Sequence, residues 1–339
     1  MSLIPYKLVR KFLFMFDPET AHVLSLRGLN FLYQLKLINL LFGKNKTKPI
    51  NIMGINFPNR VGLAAGLDKD GEYFQAISQC GFGFVEIGTV TPLAQTGNDK
   101  PRLFRLVEAE AIINRMGFNN KGVDHLLQNV KSANFDGVLG INIGKNKNTA
   151  DENAIDDYLI CLEKVYGYAD YITINISSPN TPGLRNLQFG EPLDNLLRDL
   201  KLKQNELSQQ TEKYVPLVVK VAPDMDDIAI EQLANTLIKY SIDGVIVSNT
   251  TLSREGVENH VFANEQGGLS GRPLKEKSDY SLVLMAKYLN HTIPIIAVGG
   301  ISNGADAANK VVLGASLVQV YTGFIYQGPE LIHACVEQA

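Results

Sequence analysis

Cysteine is scarce in this chain and never paired. Cys80, Cys161 and Cys335 are the only three in 339 residues. They are odd in number, far apart, and form no Cys-x-x-Cys. That argues against a disulfide framework and against zinc or iron–sulfur ligation, and for a reducing compartment. Histidine is as thin. The five histidines make no His-x-x-x-His or His-Glu-x-x-His pattern, so no metal site is expected. Long apolar runs are missing too. Clusters such as 12–16 fall far short of the roughly 20 residues that a membrane-spanning helix needs. Charges break the early apolar runs and no small-residue cleavage site follows them, so no secretory signal is read. Net charge is small as well, −3.

The small total hides an asymmetry. Residues 1–50 hold eight Lys/Arg against two Asp/Glu, a balance of +6 that leaves −9 for the rest. The basic residues lie among Leu, Phe and Ile, which points to an anionic lipid surface and away from nucleic acid. Residues 4–16 read as a helix, with Leu8, Phe12 and Met15 on one face and Lys7, Arg10 and Lys11 mostly opposite. Asp17-Pro18-Glu19-Thr20 restarts it, with an N-cap, proline at the first helical position and an acid in the first turn. A second helix then runs from Pro18 to about Leu35. Fully burying a large apolar side chain is worth roughly 1.5–3 kcal/mol. Half a dozen of them seat this hairpin on the main domain, on a bilayer, or with one face on each. A short basic link, 44–48, separates a hairpin unit (1–43) from the main unit (44–339). Residues 50–58 read as a small β-hairpin with a glycine turn.

The rest is ordinary for a globular protein, with 45% apolar and 20% charged residues overall. It has a rhythm. Apolar runs of strand length occur at 61–67, 84–87, 138–143, 171–176, 217–221, 245–247, 295–298 and 317–320. Amphipathic helical stretches separate most of them: 72–78, 124–132, 154–165, 192–207, 226–240, 278–289 and 305–313. A last helix starts at Pro329. Continuous apolar strands alternating with helices mean a parallel sheet covered on both faces. Eight units fit an α/β fold of the (β/α)8 TIM-barrel type carrying an N-terminal helical hairpin; a doubly wound sheet is the alternative.

Barrel sites lie at the C-terminal ends of the strands. Those ends here are small and polar. Lys69, Asn142, Asn175, Lys220 and Asn249 stand in or just past buried strands, where an unpartnered polar group is costly. Five at one rim suit a bound polar ligand. Gly299-Gly300 and Gly323 suit backbone amides around a phosphate. The amides and lysines suit a planar heterocycle with carbonyl and N–H edges. The loop 173–183, stiffened by Pro179 and Pro182, carries Ser177, Ser178, Asn180 and Thr181 and is the expected seat of the chemistry. On these features alone a barrel lyase or isomerase acting on a sugar phosphate, or a tethered binding protein, stays open.

Four stretches are more specific: Ala-Ala-Gly-Leu-Asp-Lys-Asp-Gly at 64–71, Asn-Arg-Met-Gly-Phe-Asn-Asn at 114–120, Asn-Ile-Ser-Ser-Pro-Asn-Thr-Pro-Gly at 175–183 and Gly-Gly-Leu-Ser-Gly-Arg-Pro-Leu at 267–274. With these the whole chain resembles the dihydroorotate dehydrogenases, specifically the membrane-associated, quinone-linked class 2 enzymes of bacteria. The resemblance implies oxidation of dihydroorotate to orotate in pyrimidine biosynthesis, with FMN accepting the hydride and a membrane quinone the electrons. Ala65, Gly66, Leu67, Asp68, Lys69, Thr89, Asn142, Asn175, Lys220, Ser248, Gly271, Gly300, Tyr321 and Thr322 match flavin positions. Lys69, Asn114, Arg115, Met116, Gly117, Phe118, Asn175, Asn180, Asn249 and Thr250 match substrate positions. Ser178 matches the catalytic base, with Thr181 as a proton relay. His22, Arg105 and Tyr321 match the quinone site. Soluble class 1 relatives carry cysteine in place of the serine and lack the hairpin. Ser248 stands where threonine is common, which keeps the hydroxyl. The resemblance further implies a monomer on the cytoplasmic side of the cell inner membrane, in peripheral contact through the hairpin. Residues 252–266 and the stretch after Pro179 are the candidate gates for substrate.

Overall fold

The computed structural model describes residues 5–42 and 47–339. The N-terminal part is helical: α1 (Tyr6–Leu13), α2 (Pro18–Gln34) and α3 (Ile38–Phe42). The Asp17 carboxylate accepts from the amides of Glu19 and Thr20, both at 3.1 Å, so the cap read from the sequence is made. The expected boundary between 43 and 44 and most of the basic link fall outside the described residues. A two-strand hairpin follows, β1 (Ile50–Ile52) and β2 (Ile55–Phe57). Met53 and Gly54 turn it with φ of +55° and +77°, the sign that a two-residue hairpin turn needs to match strand twist.

The main domain then runs β3 (Val61–Leu63), α4 (Phe74–Ser78), β4 (Phe84–Val90), β5 (Leu103–Leu106), β6 (Ala111–Asn114), α5 (Val123–Ser132) and β7 (Val138–Ile143). Next come α6 (Ala154–Val165), β8 (Tyr171–Asn175), α7 (Gly190–Thr211), β9 (Leu217–Val221), α8 (Asp227–Lys239) and β10 (Gly244–Val247). It closes with β11 (Gly268–Gly271), α9 (Lys275–Leu289), β12 (Ile295–Val298), α10 (Gly304–Val312), β13 (Leu317–Val320), α11 (Thr322–Gln327) and α12 (Pro329–Gln338). The eight expected strands are β3, β4, β7, β8, β9, β10, β12 and β13, and they form one closed parallel barrel. Pairing of Val320 with Leu63 joins the last strand to the first. That contact excludes the doubly wound alternative, whose edges stay open.

Two apolar layers hold the barrel. Outside, residues such as Val61, Ile87, Ile141, Ile174 and Val219 pack against the helices. Inside, Phe57, Phe84, Tyr171, Val218, Ile246, Ile296 and Leu317 fill the barrel, and Ile50, Ile52, Met53 and Ile55 of the β1–β2 hairpin pack onto them. The hairpin therefore plugs the end opposite the strand C-termini. Glycine makes room for the rings: a Cβ at Gly140 would come within 2.2 Å of the Tyr171 ring.

The structure adds a small antiparallel sheet that the sequence rhythm did not reveal, in the order β11-β6-β5. Its strands are four residues each, and β11 is Gly-Leu-Ser-Gly, a composition depleted from strands. The sheet brings Asn114 and Gly271 to the barrel mouth. The helical hairpin is tied to the barrel by polar contacts. Glu19 receives Arg102 Nε at 2.8 Å and Lys100 Nζ at 2.6 Å. Tyr6 Oη donates to the Ile325 carbonyl at 2.8 Å and Arg10 to that of Tyr326 at 2.9 Å. The other face stays apolar and exposed, with Leu8, Phe12, Met15, Phe31 and Leu40 each more than half exposed. Among the described residues no helix is long and apolar enough to cross a membrane.

Candidate active site

A cavity opens at the C-terminal ends of the strands. Its wall contains Ala65, Gly66, Lys69, Thr89, Asn175, Lys220, Ser248, Gly271, Gly300, Tyr321 and Thr322 of the expected flavin positions. It also contains Ser178 and, of the expected substrate positions, Asn114, Met116, Gly117, Phe118, Asn180, Asn249 and Thr250. Residues spread over more than 250 positions thus meet in one place.

The cavity is cationic and incompletely satisfied. Among the described residues Lys69 finds only the Met116 sulfur, at 3.5 Å. Burial lowers its ammonium to about 8, the Arg102 cation adds to this, and Asp70, Glu19 and Asp68 oppose it. Burial also lowers Lys220, with Glu86 opposing, and no hydrogen bond joins Lys220 to another described residue. The Thr250 hydroxyl and Gln319 Oε1 are buried without partners among the described residues. A buried ammonium is stable only beside an anion or acceptors. Buried Lys220 and half-buried Lys69, with free neutral polar atoms around them, fit a flavin and a small carboxylate in one cavity. The glycines fit its phosphate end. Gly271 and Gly300 have φ of +96° and +75°, and a Cβ at Gly300 would strike Lys275 Cα at 2.3 Å, so this turn presents backbone where side chains cannot stand.

Ser178 is buried, and its Oγ accepts from the Asn180 amide at 3.2 Å. Asn180 Nδ2 donates to the Asn114 carbonyl at 3.2 Å, which ties the loop after β8 to the small sheet. Arg185 braces three strand-end loops, donating to the Ser177 carbonyl at 3.1 Å, Asp224 at 2.9 Å and the Thr250 carbonyl at 3.0 Å.

Five of the expected flavin, substrate and proton-relay residues stand outside this wall. Leu67 faces the hairpin side. Asp68 caps the next turn, accepting from the Glu72 and Tyr73 amides at 2.9 and 2.7 Å; burial raises its carboxyl to about 6, against those two hydrogen bonds. Asn142 lies beneath the floor between Thr89 and Glu86. Arg115 turns outward to Glu265 at 2.6 Å. Thr181 is buried, and no hydrogen bond links it to Ser178 among the described residues. Sequence reading also passed over Glu86, Gln319 and Arg185. A charge inside the apolar run Phe84-Val85-Glu86-Ile87 was the available signal for the first.

A second cavity lies between α1, α2 and the barrel, walled by apolar residues such as Val9, Leu13, Leu24, Leu29 and Phe324. His22, Arg105 and Tyr321, the expected quinone residues, all line it. Burial and the nearby Lys69 cation lower His22 to about 4, with Glu19 opposing, so it is neutral near pH 7. Arg105 donates to the Phe16 carbonyl and stacks 4.4 Å above the Phe14 ring, while its Nη1 is buried with no partner. Tyr321 lines both cavities.

A closed barrel with a polar site at its strand ends defines a TIM-barrel enzyme, and the comparisons make the class specific. The sequence profile of the family described as dihydroorotate dehydrogenase matches residues 48–338. Dihydroorotate dehydrogenase (quinone) of Idiomarina loihiensis is 60% identical over 332 residues, covering 98% of this chain and 99% of its own. The protein of the same name from Saccharophagus degradans is 59% identical over 327 residues, 96% of each chain. Among solved structures, DHODH of Eimeria tenella in complex with ferulenol superposes with a TM-score of 0.86 at 38% identity, covering 95% of this chain and 90% of that one. The chain belongs to the dihydroorotate dehydrogenase family, whose members are flavin-dependent oxidoreductases of pyrimidine biosynthesis.

Proposed function

We propose that this chain oxidises (S)-dihydroorotate to orotate at the mouth cavity and passes the electrons to a membrane quinone in the hairpin cavity. The observation that carries the reading is the pairing of the two cavities: one polar and cationic, one apolar, with Tyr321 in the wall of both. FMN is the flavin that suits the mouth cavity, because the glycine turns offer backbone amides to a single phosphate. When bound, it supplies a two-electron acceptor for the hydride leaving C6. The protein does the rest. Lys69 anchors the substrate carboxylate, and Asn114, Asn180 and Asn249 read the ring edges. Ser178 takes the C5 proton. A serine is a weak base, so that proton needs an onward route, and we assign it to the Thr181 hydroxyl, three residues along the same loop. Lys220 offsets the negative charge that reduction brings.

On the other side, Arg105 Nη1 is a free donor for a quinone carbonyl, and neutral His22 adds a ring nitrogen. The exposed apolar row on α1 and α2, among the basic residues of that segment, suits peripheral contact with an anionic bilayer. The chain then divides into a membrane-contacting unit (1–43) and a catalytic unit (44–339), working as a monomer on the cytoplasmic side of the cell inner membrane. Anaerobic addition of dihydroorotate to the purified yellow protein tests the scheme. The visible flavin band should bleach, and a soluble quinone should restore it. Protein that stays colourless with FMN supplied, or a band indifferent to dihydroorotate, would overturn it.

A further inference from the structure

Beneath the cavity floor the barrel encloses a carboxylate with no part in the scheme above. Glu86, the third residue of β4, is fully buried. Its Oε1 accepts from Asn142 Nδ2 at 2.7 Å, and its Oε2 from Tyr171 Oη at 2.9 Å and Gln319 Nε2 at 2.7 Å. All three partners donate, and they come from β7, β8 and β13. Three donors and no acceptor suit the charged, acceptor-only form of the group. The bonds leading to it run one way. Asn249 Nδ2 donates to Ser177 Oγ at 2.9 Å, and Ser177 Oγ to Asn175 Oδ1 at 3.0 Å. Asn175 Nδ2 donates to Thr89 Oγ1 at 2.9 Å, and Thr89 Oγ1 to Asn142 Oδ1 at 2.5 Å. A single chain of donors thus starts at the substrate rim and ends on Glu86.

A buried anion is costly without a cation. Among the described residues none forms an ion pair with Glu86, but Lys220 on β9 is buried and stands in register beside Asn175, a link in that same chain of donors, and Glu86 is the charge that opposes the lowering of its ammonium. The other titratable groups nearby are few. Tyr171, raised well above its ordinary value by burial and then by Glu86, stays neutral. Lys69 lines the rim of the same cavity. Asn142, Ser248 and Gln319, from the remaining neighbouring strands, carry no charge. We propose that Glu86 is a positioning residue that acts through Lys220: it is the countercharge that keeps this lysine, in the wall of the mouth cavity, protonated before reduction begins. The inference rests on the functional reading above only in taking the mouth cavity as the flavin site.

The consequence is a proton count. With Glu86 charged, Lys220 is already a cation, so two electrons enter with one proton, bound by the cofactor. With the charge removed, Lys220 is a lone buried cation and gives up its proton in the oxidised protein. It regains that proton when reduction brings negative charge. Two electrons then enter with two protons, one on the cofactor and one on the Lys220 amine. Dithionite titration of the holoprotein against a redox dye, from pH 6 to 8.5, reads this directly. Glu86→Gln should double the slope of potential against pH; equal slopes in wild type and variant overturn the proposal. The substitution is nearly isosteric, and the unpaired Gln319 Oε1 can turn to accept from the new amide. Tyr171→Phe removes a donor and keeps the charge, so its slope should match wild type. A doubled slope there would assign the effect to packing and also overturn the proposal. Should Glu86→Gln lose its flavin, Glu86→Asp decides: flavin held with the wild-type slope supports a charge role, and loss from both refutes it. Dithionite needs no dihydroorotate, so failure here is separate from failure of the bleaching test.

Discussion

Raising the pH across the titration of Lys69 should weaken orotate binding. Its ammonium lies at about 8, down from 10.5. At about 1.4 kcal/mol per tenfold step, that difference is roughly 3 kcal/mol, an upper bound because the side chain is only half-buried. The sign differs between the two states. Without ligand, the protonated lysine opposes folding, so stability rises as pH climbs from about 8 toward the ordinary lysine value of about 10. With a carboxylate beside it, binding favours the ammonium. Affinity is then full below pH 8 and falls about tenfold per pH unit above it. Orotate titrations followed by the flavin spectrum, from pH 6.5 to 9.5, should show a loss on the order of 30-fold by the upper limit. Lys69→Met should bind up to about 100-fold more weakly at pH 7 and lose the dependence. A flat wild-type profile, or an unchanged profile in Lys69→Met, would refute the carboxylate assignment.

Three further outcomes are expected. Ser178→Ala should slow flavin reduction by orders of magnitude in stopped flow, with little change in orotate affinity; normal reduction would remove Ser178 as the base. Deleting residues 1–35 should abolish quinone reduction and leave flavin bound, since it removes one wall of the second cavity, and a truncated protein at full quinone turnover would end the hairpin's role. Arg105→Met deletes a charge-assisted donor worth about 1.5–3 kcal/mol. The quinone KM should therefore rise about 10- to 150-fold while dihydroorotate bleaching of the flavin is unchanged.

Local pattern carries a long way here. Each barrel strand is a mostly apolar run, and β7, β9, β12 and β13 begin and end where those runs do. The Asp17-Pro18 restart and the Met53–Gly54 turn are equally local, since capping and turn chemistry act over three or four residues. Polar residues at the strand ends were readable because an amide or lysine there contradicts the buried run before it.

Residue order alone thus sets the alternation of eight strands with helices, the apolar basic hairpin, and the set of polar groups at the rim. Which way those groups face and what else joins them depends on the folded chain. Asp68 stands next to Lys69, and Asn142 is the penultimate residue of β7 as Thr89 is of β4, yet Asp68 caps a turn and Asn142 drops below the floor. Strand β11 pairs with β6 across more than 150 residues, and Glu86 meets Gln319 from the far end of the chain. Such pairings depend on closure of the barrel, which brings distant residues within hydrogen-bond reach. No periodicity along the chain records that distance, so partner choice, the shared wall at Tyr321 and the buried charge were settled by folding alone.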